Sequence, residues 1–319
     1  MSELQLRPMT ADDLDDIAEL VAAAYRHDGV PQVLTVDELA EELDDDHVVY
    51  ATDTRVALWG DRVAGYVYTY HLPSEVREER CYIFGEVLPE LRRRGVGAAL
   101  MEWAIPRAEV QLRSSGRSLP RYVRTDRYDY IVGAHSLFAH VGMQPVRYME
   151  ELLRPLNDLP AVPEVAGARI VPWPEGRDDE IRTAKNTAFA DHWGSTPTSE
   201  HHWQQMVRGH GGRPDLSFIA LDEDDRVVAH CLNKRFPDDD ELIGRRDAWI
   251  DNLGTLPEWR GRGLASALVA ASLHAFAADG CTHASIGVDS ENPSGAAQLY
   301  RRLGFEPRQR SITHELVVP

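Results

Sequence analysis

The sequence predicts a tandem protein of mixed α/β class, two domains that each pack helices on a sheet. Three observations predict it. The 319 residues suit about two domains of ordinary size. Four blocks of sequence recur in the same order at a nearly constant, domain-sized offset. Within each half, strand-like and helix-like segments alternate, and a run of strands feeds a central helix.

The first block is "LQLRPMTADDLDDIAELVAAAY" and, later, "ARIVPWPEGRDDEIRTAKNTAF"; Pro8 and Pro172 stand 164 positions apart (172 − 8). Both read as a short strand, a turn and a helix that ends in an aromatic. The second block, "RVALWGDRVAGYVYTYH" and "LSFIALDEDDRVVAHCLNKRF", reads as two strands joined by a charged turn. The third, "LPELRRRGVGAAL" and "LPEWRGRGLASAL", sets arginines and small residues at the start of an apolar helix; Arg92 and Arg260 are 168 apart (260 − 92). The fourth, "HSLFAHVGM" and "AQLYRRLGF", is a helix stopped by glycine. Between the halves, "LRPLNDLPAVPEVAGAR" resists both helix and ladder. The expected domains are residues 1–155 and 168–319, with a linker at 156–167.

Composition narrows the function. Apolar residues make up 43% and charged residues 27%, ordinary for a soluble globular chain. A formal net charge of −18 repels phosphate backbones, which excludes nucleic acid as the expected partner. Cys81, Cys231 and Cys281 are scattered and odd in number, so neither a disulfide framework nor a zinc spacing is visible. This fits a reducing cytoplasm. No signal pattern opens the chain, and the longest apolar stretch, "LASALVAASLHAFAA", is too short to span a bilayer. The protein is expected to be cytoplasmic, a monomer or homodimer, with no membrane and no metal. His192, His201 and His202 do not change this, because adjacent histidines do not share a helix face and no H-E-x-x-H occurs.

The arginine–glycine turns carry the chemistry. The first turn of a helix has unpaired N–H groups and the positive end of the dipole. Glycine lets an anion approach those groups, and arginine adds charge with forked donors. The pattern is an anion cradle suited to a diphosphate. Its spacing is neither the dinucleotide G-x-G-x-x-G nor a Walker loop.

Arg260-Gly261-Arg262-Gly263-Leu264-Ala265 and Arg92-Arg93-Arg94-Gly95-Val96-Gly97 both match [QR]-x-x-G-x-[GA], the signature of the GNAT acetyltransferases. "VDSENPSGAAQLYRRLGF" resembles the family's later strand, asparagine loop and helix. The resemblance covers nearly the whole chain and suggests a tandem GNAT, an organisation also found in mycothiol synthase; no motif is specific to that enzyme. It implies a twisted, mostly antiparallel sheet in each half, opening between the fourth and fifth strands. Acetyl-CoA would lie in that opening as acyl donor. The fourth strands would fall at 81–88 and 249–256. Coenzyme contacts would come from Leu253, Gly254, Thr255, the turn from Arg260 to Ala265, and Asn292. In the first half they would come from Glu86, Val87, Leu88 and the turn from Arg92 to Gly97.

The halves differ in what the resemblance assigns to catalysis. Tyr300 matches the family's proton-donating tyrosine, where the first half has Phe138. Asp251 matches a base position, where the first half has Ile83. Each has a plain alternative, Tyr300 as a core aromatic and Asp251 as a strand-end aspartate. Asp191, His192 and Trp193 fall where the acceptor wall is expected, although Trp193 and Trp203 also suit a core. The implied reaction is attack of a small-molecule amine on the thioester in a ternary complex, catalysed by the second half. The first half would hold CoA or buttress its neighbour. A cysteinyl-amine acceptor and a non-catalytic CoA sensor are the competing readings.

Overall fold

The computed structural model describes residues 4–43, 47–74, 76–291 and 295–319. They form two compact units, 1–147 with 311–319, and 148–310.

The first unit runs β1 (Leu4–Arg7), α1 (Leu14–Asp28), α2 (Val36–Leu43), α3 (Tyr50–Asp53), β2 (Thr54–Trp59), β3 (Arg62–Leu72), β4 (Glu79–Val87), α4 (Val96–Ser114), β5 (Arg121–Tyr128) and α5 (Val132–His140). After it come β6 (Gln144–Pro155), β7 (Ala168–Pro172), α6 (Asp178–Ala188), α7 (Glu200–Arg208), β8 (Phe218–Asp222), β9 (Val227–Arg235), α8 (Asp239–Ile243), β10 (Asp247–Thr255), α9 (Leu264–Ala278), β11 (His283–Asp289), α10 (Ala296–Arg302) and β12 (Glu306–Val318). Sequence pattern explains the main helices. In α1, Ile17, Leu20, Val21 and Ala24 repeat on one face and are buried. In α9 nearly every side is apolar, and Leu264, Leu268, Val269, Leu273 and Phe276 are all buried, as befits a central helix.

Each unit has the mixed, mostly antiparallel sheet that was expected. In the first, β1, β2, β3, β4 and β5 lie side by side, antiparallel except for β4 and β5. In the second, β7, β8, β9, β10 and β11 repeat that order, with β10 and β11 parallel. The expected domain limits and the compact units differ at one feature. Met149–Pro155 of β6 pairs with β11 in the second unit, while Ser311–Val318 of β12 pairs with β5 in the first. The halves thus exchange their final strands, and the boundary falls at 147/148 and again at 310/311. Turn residues mark where a chain bends; they do not say which sheet the next strand will join.

Two registers place the site. The parallel ladder of β4 with β5 ends at Tyr82↔Arg124, and that of β10 with β11 ends at Ile250↔Ile286. Beyond those pairs the last five residues of β4 and the last four of β10 have a ladder partner on one edge only, among the described residues. The β3–β4 register is unbroken from Gly65↔Val87 to Leu72↔Arg80. The β9–β10 register shifts between Ile250 and Asn252, which makes Asp251 the bulged residue. No described helix is long and apolar enough to cross a membrane.

The strand exchange has a measurable consequence. Truncation after Arg310 removes β12, one of the two partners of β5, and is expected to raise amide exchange most in Thr125–Tyr128, which have no ladder with β4, while β9 and β10 stay protected. Unchanged protection of β5 would contradict the pairing.

Candidate functional site

The second unit's turn follows β10 and opens α9. Gly261 and Gly263 adopt φ of 75° and 93°, and Gly263 is the N-cap of α9 with no side chain capping the helix. A Cβ built on either glycine meets nothing within 4 Å. The glycines are needed for backbone conformation, since the space where their side chains would begin is free of other atoms. Leu264 is buried beneath the turn and Ala265 is partly buried. The first unit repeats this arrangement: Gly95 caps α4 at φ 90°, again without a side-chain cap. Val96 is buried, and a Cβ on Gly97 would meet Leu137 at 3.0 Å, so that small residue serves helix packing.

The arginines do not all face the cradle. Arg260 gives its fork to Asp191 (2.7 and 3.0 Å) and donates to the Ala188 carbonyl at 2.8 Å. Its Nε also donates to the Thr255 carbonyl at the end of β10, at 3.4 Å. In the first unit Arg92 holds Asp28 at 2.6 and 2.7 Å and the strand-end carbonyl of Val87 at 3.1 Å. The first arginine of each signature therefore clamps the C-terminal end of a helix (α6 or α1) to the end of the fourth strand. Arg262 stacks on Trp259 at 4.5 Å and donates to the Glu258 carbonyl. Arg93 and Arg94 are exposed, Arg93 with φ of 62°.

The expected acceptor residues divide. Asp191 belongs to the clamp. The His192 ring nitrogen Nδ1 bonds the Trp193 carbonyl at 3.0 Å, and the ring tilts against Phe189. Trp203 is wholly buried and stacks on Trp173, so it is core. Asp251 forms an ion pair with Lys234 at 3.4 Å. Tyr300 is buried edge-on to Phe305, and burial pushes its hydroxyl well above the usual range. Phe138 is buried at the matching place in the first unit. Leu253 and Thr255 are partly exposed on β10. Asn292 lies outside the described residues.

Sequence reasoning missed His230. It faces Gly254 across the β9–β10 ladder. Its Nε2 donates to Asn252 Oδ1 at 2.7 Å, and its Nδ1 is buried without a partner. Gly254 must be glycine: a Cβ there would overlap the imidazole and meet Phe189 at 3.0 Å. Burial pushes His230 down to about 4; the Asn252 bond opposes this and nearby Lys185 adds to it. Lys185 is itself buried, bonded to Thr198 and set over the Phe189 ring at 5.7 Å. A lone histidine in "VVAHCLNK" gives no sign of this cluster.

The first unit fills the same region differently. Leu88 is buried, and Glu86 accepts from Arg92 at 3.3 Å and lies 3.7 Å from Arg127. Arg127, on β5, also donates to the Gly85 carbonyl.

Residues 14–117 and 179–305 match the sequence profile of the acetyltransferase (GNAT) family. Mycothiol acetyltransferase of Mycolicibacterium smegmatis is 29% identical over 302 residues, covering 93% of each chain. That of Catenulispora acidiphila is 27% identical over 321 residues, covering 97% of each. Among solved structures, a GCN5-related N-acetyltransferase from Sphaerobacter thermophilus superposes with a TM-score of 0.75 at 23% identity, over 98% of this chain and 95% of that one. A tandem GNAT protein from the clavulanic acid biosynthesis pathway gives 0.71 at 18% identity, over 99% of both chains. These two likenesses establish the fold.

The buried neutral His230 makes stability depend on pH. An unfolded histidine titrates near 6.5 and this one near 4, so between those values the unfolded chain binds more protons. Stability from this group is full above pH 6.5 and falls as pH drops through 4. The gap corresponds to roughly 3 kcal/mol. His230→Gln, which can still donate to Asn252, is expected to flatten the denaturant-measured stability between pH 7 and pH 4 by about that amount. Parallel wild-type and variant curves would refute it.

Proposed function

Because the chain belongs to the acetyltransferase (GNAT) family, we propose that it is an acetyl-CoA-dependent N-acetyltransferase whose second unit performs the transfer to a small-molecule amine. One observation carries this reading. The second unit combines an uncapped glycine turn, a one-edged β10 bulged at Asp251, and a buried tyrosine, whereas the first has an unbroken register and Phe138.

Acetyl-CoA supplies an acetyl group activated as a thioester. The chain's own groups do the rest. The N–H groups after Gly263 bind phosphate, with Arg262 beside them. The free edge of β10 orients an extended amide-bearing arm through backbone hydrogen bonds. Tyr300, kept protonated by burial, holds the proton that a departing thiolate needs. Asp251, aimed by its bulge and steadied by Lys234, takes the proton of the attacking amine directly or through water. The clamp of Arg260 on Asp191 fixes the acceptor side of the turn. Attack of an amine on a thioester needs no metal ion.

The likeness to mycothiol acetyltransferases over 93% of both chains favours a narrower second reading, in which the acceptor is a cysteinyl amine. Release of free CoA on an amine panel that includes cysteine conjugates and aminoglycosides tests both. Release only with cysteinyl amines selects the narrower reading. Silence across the panel would leave a coenzyme-binding protein without transfer.

Two variants test the assigned roles. Tyr300→Phe is expected to lower turnover by about 10²–10⁴-fold with little change in acetyl-CoA affinity. Unchanged turnover under rate-limiting chemistry would remove Tyr300 from its role. Gly263→Asn keeps a residue that tolerates positive φ and adds a side chain before the N–H groups. Calorimetry on the folded variant is expected to show lost acetyl-CoA binding; wild-type affinity would make the turn purely structural.

A further inference from the structure

We infer that the first unit has closed its own coenzyme cleft with Arg127, so that the chain holds one CoA and not two. The inference rests on the second unit being the CoA site.

Beyond Tyr82↔Arg124 the edge of β4 has no strand beside it among the described residues. Such an edge offers carbonyl and N–H groups to an extended ligand, and a buried carbonyl left unpaired is costly. Here the Gly85 carbonyl already has a donor, Arg127 Nη2. The same nitrogen lies 3.7 Å from Glu86 Oε2, and the Arg127 side chain is only 23% exposed. Glu86 is fixed in turn by Arg92 at 3.3 Å, and Arg92 by Asp28. This chain of charges crosses the place where β4 and β5 part.

The second unit lacks the bridge at matching positions. Arg127 lies three residues past Arg124, and Asp289 lies three past Ile286; Arg124 and Ile286 each end a parallel ladder. Asp289 carries a carboxylate, which cannot donate to a carbonyl, and its Oδ1 accepts from Glu291 N at 2.9 Å. Glu86 stands opposite Tyr66, and Gly254 stands opposite His230 in the matching ladder. Where one unit has an arginine and a glutamate across the opening, the other has an aspartate and a glycine. The first unit keeps the glycine turn of a coenzyme site while its strand edge is occupied from within.

The test is calorimetric stoichiometry with CoA on the full chain. Wild type is expected to bind one CoA, and Gly263→Asn none. Arg127→Ser is expected to bind two, and Arg127→Ser with Gly263→Asn to retain one. Two sites in wild type, with one surviving Gly263→Asn, would overturn the inference even if the Arg127 variant did not fold. A folded Arg127→Ser protein that still binds one would overturn it as well. Loss of all wild-type binding would instead sink the coenzyme reading of the second unit, and the gain in Arg127→Ser would still decide the role of Arg127.

Discussion

Two parallel strands that pair for four residues and then separate impose the constraint from which the site follows. Backbone N–H and C=O groups cannot be left dry and unpaired, so each half needs something at the exposed edge of its fourth strand. The first unit answers with a side chain, Arg127, bonded to Gly85. In the second, Asp289 stands at the equivalent position and cannot play that part. The same fold therefore carries an arginine bridge to the strand edge in one copy and an aspartate at that position in the other.

The glycine turn depends on a second device that both copies share. The leading arginine of each signature ties the end of a helix to the end of the fourth strand, which fixes where the turn begins. The two clamps differ in weight. Arg92 and Asp28 have side chains 26% and 12% exposed, while Arg260 and Asp191 are 42% and 66% exposed. An exposed pair is worth about 0–1 kcal/mol, so the second clamp guides geometry more than it adds stability.

Around the second unit's open edge, polar groups are arranged in a way the first unit does not repeat. Asp251 is displaced by a bulge toward Lys234. His230 keeps a free lone pair because Asn252 Oδ1 can only accept, which fixes the proton on Nε2. A buried acceptor without a partner costs about 1–3 kcal/mol. Gly254 makes room for that ring, where Glu86 stands in the first unit. The first unit instead has Tyr66, Tyr68 and Phe84 packed in stacked contact, with Glu42 on the Tyr68 hydroxyl. Its interior is spent on packing.

The sequence by itself determined the duplication, the order of strands and helices in each half, the glycine turns, and the contrast of Tyr300 with Phe138. These are local or periodic properties: a glycine at positive φ before an apolar run marks a helix start wherever the chain goes. The fourth strands were expected at 81–88 and 249–256 and lie at Glu79–Val87 and Asp247–Thr255, a shift of one or two residues at each end. Tertiary structure alone decided the rest. Exchange of β6 and β12 depends on which sheet edge a strand meets, and no residue in "LRPLNDLP" encodes that meeting. Arg260 and Asp191 are 69 residues apart, so a charge that reads as a phosphate ligand becomes a clamp only once α6 is packed on β10. His230 gains its meaning from Asn252 and Gly254 on the neighbouring strand, and Arg127 from a carbonyl 42 residues earlier. Side-chain partners across a sheet follow from register, and register is set by the packing of whole faces.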